Sequence, residues 1–120
     1  MIGAPAEYCG RFSEQGNLSS CIAEGQGENA TRIQVKTIDG LNLEKVTLIK
    51  MDIEGAELNA LKGAQRTIAR DKPKLAICIY HSDDDMIRIA EYIHELALGY
   101  KLYVRHHTTT FAETVLYALP

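Results

Sequence analysis

The chain has 120 residues, 46% hydrophobic and 24% charged, with a formal net charge of −3. That length suits one domain with a modest core, and a mildly acidic chain gives no electrostatic case for nucleic acid. No apolar run approaches the ~20 residues of a membrane helix, and the N-terminus lacks the basic and apolar regions of a signal peptide, so a cytoplasmic protein is expected.

Residues 1–30 are punctuated by Gly3, Pro5, Gly10, Gly16, Asn17, Gly25, Gly27 and Asn29, too densely for a long element. They read as an irregular N-terminal segment, with residues 31–120 forming the structured domain. Cys9, Cys21 and Cys78 show no paired spacing and read as reduced thiols. Residues 31–38 alternate, with Ile33 and Val35 on one side and Arg32, Gln34 and Lys36 on the other, as in a half-buried strand. Asp39-Gly40 then turns the chain. Residues 46–52 are apolar enough for a parallel strand covered on both faces. Over 56–70, Leu58, Leu61, Ala64 or Gln65, and Ile68 repeat at helical spacing, and Pro73 stops that helix.

Residues 74–80 read as a second buried strand. Ser82 caps the next helix, with Asp85 completing a capping box. Ile89, Ile93 and Leu96, with Met86, Ala90 and Ala97, form its core stripe, and Gly99 suits its C-terminal cap. Residues 101–106 and 112–119 are two strands whose link is short enough for a hairpin, so they pair antiparallel. The order of elements predicts an α/β fold, with a mostly parallel sheet ending in an antiparallel hairpin.

The stretch at residues 48–63 carries the chemistry. An apolar strand ends in Asp52, Glu54 and Glu57, with Gly55 between the acids and a helix immediately after. In an open α/β sheet, ligands bind where the carboxyl ends of strands open into a crevice. Like charges this close oppose one another's ionisation, so a polar, cationic or metallic species is expected there.

Lys50-Met-Asp-Ile-Glu-Gly-Ala-Glu57, followed by Leu61-Lys-Gly-Ala64, resembles the signature of the FkbM family of S-adenosylmethionine-dependent methyltransferases. Lys72 to His81, Tyr100 to His107 and Glu113 to Ala118 extend the likeness in order, over roughly residues 31–119. The resemblance implies the C-terminal half of a Rossmann-like class I methyltransferase fold. There 46–52, 74–80, 101–106 and 112–119 are its strands 4, 5, 6 and 7, and 112–119 inserts antiparallel between 74–80 and 101–106. It also implies S-adenosylmethionine as cofactor and O-methylation of a small-molecule or sugar acceptor. The cofactor side is not legible. Gly25-Gln-Gly27 is a lone G-x-G with no apolar strand before it, so the chain reads as a C-terminal fragment without the usual glycine loop.

Asp52, Glu54 and His81 are the candidate catalytic residues. Methyl transfer needs an aligned acceptor and, for a hydroxyl, removal of its proton. A strand-end carboxylate can do this directly or through a bound divalent metal, and His81 ends the neighbouring strand. Glu57 reads as a dipole partner in the first helical turn. His106 and His107 point to opposite faces and suit structural or acceptor-side roles. Asp83, Asp84 and Asp85 read as a solvated helix start, and Ser19, Ser20 and Glu24 as irregular polar surface. Two other readings stay open. One is a non-catalytic interaction module or homodimer pairing through its exposed strand edge; the other is an acidic metal-binding domain using Asp52, Glu54 and His81.

Overall fold

The computed structural model describes residues 9–14, 20–23, 31–110 and 112–120, with side chains from residue 35 onward except Phe111. Three short strands, β1 (Cys9–Glu14), β2 (Ser20–Ala23) and β3 (Thr31–Gln34), form an antiparallel sheet in the order β2-β1-β3. The segment read as irregular therefore contains two strands, and the strand expected over 31–38 stops at Gln34. Dense glycine and proline exclude long elements but leave room for hairpin strands of a few residues. Ser19, Glu24 and Gly25-Gln-Gly27 lie outside the described residues. Of the three cysteines, the reading as a free thiol can be followed at Cys78, which is free and buried.

The larger sheet has four strands, β4 (Leu48–Met51), β5 (Lys74–Cys78), β6 (Lys101–His106) and β7 (Thr114–Leu119), in the order β4-β5-β7-β6. β4 and β5 are parallel neighbours, and β7 lies antiparallel between β5 and β6. The expected insertion is observed. The expectation of a mostly parallel sheet is overturned, because a single pairing of the three is parallel. The link after β6 is too short for a crossover, so β7 must return antiparallel. By entering between β5 and β6 it makes both of its own pairings antiparallel.

Three helices, α1 (Glu57–Lys62), α2 (Gln65–Asp71) and α3 (Asp85–Glu95), cover one face of this sheet. Leu61, Ala64 and Ile68 from the first pair and Ile89 and Ile93 from α3 pack on Ile49, Met51, Leu75, Ile77, Leu116 and Ala118. Burial alternates along β4: Ile49 and Met51 are buried, while Leu48 is 59% exposed and Lys50 is exposed. The expectation of a strand covered on both faces is corrected. β4 is a terminal strand of this sheet, and its outward face is uncovered among the described residues. None of the described helices is long and apolar enough to cross a membrane.

The expected helix over 56–70 is two helices broken at Gly63-Ala64. The break accommodates a 3-10 turn, Ile38–Leu41, whose Asp39 N–H donates to the Gly63 carbonyl at 2.9 Å. A Cβ on Gly63 would lie 3.2 Å from Thr37 Cγ2, so the close approach favours glycine. Asp39 in turn accepts the Arg66 and Thr67 N–H groups and caps α2 from outside the helix. The expected Ser82 cap of α3 is not formed: the N-cap is Asp84, without a side-chain cap, and Ser82 lies in the turn before it, where Asp85 accepts its N–H at 2.9 Å and its Oγ meets the Asp84 N–H at 3.4 Å. Met86 and Ala97, expected in the core stripe, are exposed. Ala97, with φ 52°, takes the left-handed position just after the helix, ahead of Gly99.

Candidate functional site at the ends of the parallel strands

Parallel β4 and β5 end on the same side, and the two chain segments beyond them meet there. After β4, Asp52 leads into a turn in which the Ala56 N–H donates to the Ile53 carbonyl at 3.3 Å. Its central residues, Glu54 and Gly55, have φ of 56° and 93°. Two positive φ values mark a type I′ turn. Gly55 adopts this freely, whereas Glu54 does so at a cost of roughly 1–2 kcal/mol. After β5, Tyr80 and His81 stack with ring centroids 4.2 Å apart.

The three sequence-selected residues converge. His81 Nε2 lies 3.4 Å from Asp52 Oδ1 and 3.6 Å from Glu54 Oε2. Asp52 and Glu54 are 42% and 33% exposed, so they form the open rim, while the His81 side chain is 9% exposed and forms the floor. Two further residues complete the group. Tyr80 donates its hydroxyl to Asp52 Oδ1 at 3.0 Å. Burial, followed by that hydrogen bond and the Asp52 charge, raises the Tyr80 phenol above its ordinary pKa. It therefore remains a donor through the neutral range.

Glu57 lies in the first turn of α1, as expected of a dipole partner, and is 1% exposed. Its Oε1 accepts the Ile53 N–H at 2.8 Å and lies 3.2 Å from His81 Nδ1. Beyond its place in the first turn, Glu57 closes the acidic turn through the Ile53 N–H and sets its carboxylate beside the His81 ring. The signal was present in the sequence, because an acid at the first turn of an uncapped helix lies within reach of the strand end before it. Tyr80 lies inside the Lys72–His81 stretch, and its place beside Asp52 follows from the β4–β5 register.

Burial and the neighbouring Asp52 push the Cys78 thiol up to about 11, which removes it as a thiolate nucleophile at neutral pH. His106 Nδ1 pairs with Thr114 Oγ1 at 2.8 Å and His107 Nε2 with the Tyr117 hydroxyl at 2.9 Å, so both histidines are taken up by β7. Asp83 and Asp84 are exposed at the start of α3. Asp85 approaches the group from the other side, with Glu57 and His81.

Chemically, the arrangement offers an exposed carboxylate held by a phenol, a second carboxylate on the opposite rim and an imidazole between them. It can orient a hydroxyl group, accept its proton or hold a cation.

Residues 3–102 match the family model described as the methyltransferase FkbM domain, which takes in the small sheet and, of the larger one, β4, β5 and the first two residues of β6. A crystal structure of a methyltransferase FkbM from Methylobacillus flagellatus is 46% identical, over 72% of this chain and 23% of that one, with a TM-score of 0.69. The chain thus spans about a quarter of the length of that solved relative. No curated protein matches.

Proposed function

The chain belongs to the FkbM methyltransferase family, and from that premise we propose that it forms the acceptor side of an S-adenosylmethionine-dependent O-methyltransferase. The observation that carries the reading is the convergence of Asp52, Glu54 and His81 at the shared end of the parallel pair β4 and β5. The order β4-β5-β7-β6 supports a further assignment. It corresponds to strands 4, 5, 7 and 6, the C-terminal half of a Rossmann-like class I methyltransferase sheet.

S-adenosylmethionine would supply a methyl group on a sulfonium centre. The described residues do not fit that cofactor as a whole. The turn after β4 holds a single glycine amid three carboxylates, and the parallel pair provides no second strand end with an acid placed for a ribose. No step through the cofactor is therefore derived. In this reading the remainder of the cofactor site lies in segments that the relative has beyond the match.

What these side chains do is position the acceptor. Tyr80 occupies Asp52 Oδ1 and fixes the carboxylate plane. The other carboxylate oxygen, Oδ2, takes the hydrogen bond of an incoming hydroxyl. Proton removal by a positioned carboxylate or imidazole contributes typically 10²–10⁴-fold, about the scale this cluster needs to supply. A hydroxylated small molecule or sugar suits an open rim lined by hydrogen-bond acceptors.

The test is methyl-labelled S-adenosylmethionine incubated with a panel of sugars and small alcohols. The protein assayed is a chimera carrying residues 46–120 of this chain in place of the matching stretch of the Methylobacillus flagellatus protein. Label appearing on an acceptor oxygen, and lost with Asp52→Asn, is the expected result. Transfer that is equally fast without the Asp52 charge would overturn the assignment. The 120-residue chain alone is expected to bind the cofactor poorly, which titration calorimetry checks.

One observation favours a second reading. Among the described residues, β4 ends the sheet with an unpaired edge, and it carries the exposed Leu48. An apolar edge invites another strand, so pairing with a second copy is the interaction-module alternative. A dimer mass in solution, reduced to a monomer by Leu48→Lys, would support it.

A further inference from the structure

We propose that Asp52, Glu54 and His81 bind a divalent ion of the first transition row, zinc or manganese in class, with Glu57 holding the His81 ring in place. The inference stands on geometry and does not depend on the methyltransferase reading.

The first observation is the spacing of the donors. One oxygen each of Asp52 and Glu54 and one ring nitrogen of His81 all lie within 4.8 Å of one another. Nε2 is 3.4 Å from Asp52 Oδ1 and 3.6 Å from Glu54 Oε2. These separations are longer than the 2.7–3.2 Å typical of N–H···O hydrogen bonds. They are close to the ~3.3–3.4 Å that separates two ligands each about 2.0–2.1 Å from a tetrahedral ion.

The second observation is independent of the acidic cluster. His81 is nine-tenths buried, and neither ring nitrogen has a hydrogen-bond partner among the described residues. Buried polar groups without partners are rare, and a bound ion is one of the arrangements that satisfies them. Glu57 faces Nδ1 at 3.2 Å, and its own Oε2 is buried and unpartnered. Glu57 Oε1 stands beside Nδ1, and on the other edge of the ring Nε2 lies within 3.4 and 3.6 Å of two carboxylate oxygens. Three electron-rich atoms then face one another, and a cation between them resolves the repulsion. A carboxylate on the distal nitrogen of a metal-ligating histidine is the usual supporting arrangement.

The donor set selects the ion. Two carboxylates and an imidazole suit zinc or manganese. Magnesium and calcium favour all-oxygen sites, and soft ions favour thiolate. Asp85 forms a second possible donor group with Glu57 and His81, but its carboxylate already accepts the Ser82 N–H and Glu57 Oε1 the Ile53 N–H. The exposed pair Asp52 and Glu54, beside Nε2, is therefore the binding side. Three protein ligands leave a coordination position for water or a hydroxylated molecule.

The test is calorimetric titration of the chelator-treated chain with zinc, manganese and magnesium chlorides, together with visible spectra of the cobalt form. One zinc per chain is expected, with Asp52→Asn and Glu54→Gln each weakening it at least about 10-fold. Glu57→Gln should weaken it roughly 10–100-fold, the range for residues that orient a ligand. Cobalt bands should disappear in His81→Ala. Because His81 and Glu57 are buried and their variants can unfold, the two exposed carboxylates carry the decision. Absence of stoichiometric zinc binding at up to about 1 mM ion overturns the proposal. So does binding that Asp52→Asn and Glu54→Gln leave unchanged.

Discussion

Two carboxylate clusters lie within this small fold, and their hydrogen bonding is opposite. Asp39 Oδ1 accepts the Thr67 N–H at 2.8 Å and its hydroxyl at 2.7 Å, while Oδ2 accepts the Arg66 N–H at 3.0 Å. Burial pushes its pKa up, but the Arg66 and Thr67 hydrogen bonds outweigh it and hold the group below its ordinary value. At the strand-end group, Glu57 is almost fully buried with a single backbone donor, and the enclosed His81 has no hydrogen bond. A satisfied acid fixes a chain crossing. An unsatisfied one, in an opening, is set for a molecule or ion that the fold alone does not provide.

The largest effect that tests this contrast is on catalysis. Asp52→Asn keeps the shape and the Tyr80 contact but removes the charge. Methyl transfer in the chimera should fall by roughly 10²-fold or more, while stability changes by no more than about 0.5 kcal/mol for so exposed a group. A melting curve and the label-transfer assay give both numbers. A lower melting point with normal turnover would place Asp52 beside Asp39, and the contrast would collapse.

Asp39→Ala should behave in the opposite way. It orphans the N–H groups of Arg66 and Thr67 at the start of α2, a loss of about 2 kcal/mol. The urea midpoint should drop, whereas zinc affinity and turnover per folded molecule should hold. An unchanged midpoint would show that the break at Gly63 is supported from elsewhere.

These two clusters also show what could be read from the residues. The strand-end acids and His81 were legible because a strand, a turn and a helix are written in local periodicity, and parallel neighbours end together. The order β4-β5-β7-β6 followed from a family likeness and a short final link. Asp39-Gly40 read as a turn because its partners, Arg66 and Thr67, are remote in sequence. Glu57 read as a dipole partner because burial of a first-turn acid depends on the neighbouring strand. The two faces of β4 were misjudged, since Val46 to Ile53 is apolar enough for a central strand while the described fold covers one face. The hairpin strands β1 and β2 were hidden by glycines that limit length without forbidding pairing.

A smaller effect appears in acid. Asp71 is held down to about 2, first by the Arg70 hydrogen bond and, against burial, by the Val46 N–H and the Arg70 charge. A folded pKa below the unfolded ~3.9 stabilises the fold above pH 4, and that contribution is lost as pH falls toward 2. Asp39 shifts in the same direction and adds to the same slope. The melting temperature should decline over that window, and Asp71→Asn and Asp39→Asn should each flatten the decline. A slope unchanged in both variants would mean that acid unfolding begins elsewhere.

The smallest effect separates strain from charge. Glu54 and Ala97 are both exposed, and both hold left-handed backbone, with φ of 56° and 52°. Asn tolerates that conformation better than either, so Glu54→Asn and Ala97→Asn should each gain about 0.5 kcal/mol from relieved strain. Glu54→Asn also removes one carboxylate from a crowded group, which should add a few tenths of a kcal/mol in metal-free buffer. Ala97 lies away from the strand-end group and serves as the control for backbone strain. Urea titrations of the pair therefore isolate the charge term by difference. If Glu54→Asn falls below the parent while Ala97→Asn rises, the Glu54 carboxylate is already satisfied by His81, and the strand-end cluster is as settled as Asp39. Zinc sharpens the comparison further. A bound ion stabilises the folded state in proportion to ln(1 + [ion]/Kd), so saturating zinc should raise the parent and Ala97→Asn alike and leave Glu54→Asn behind.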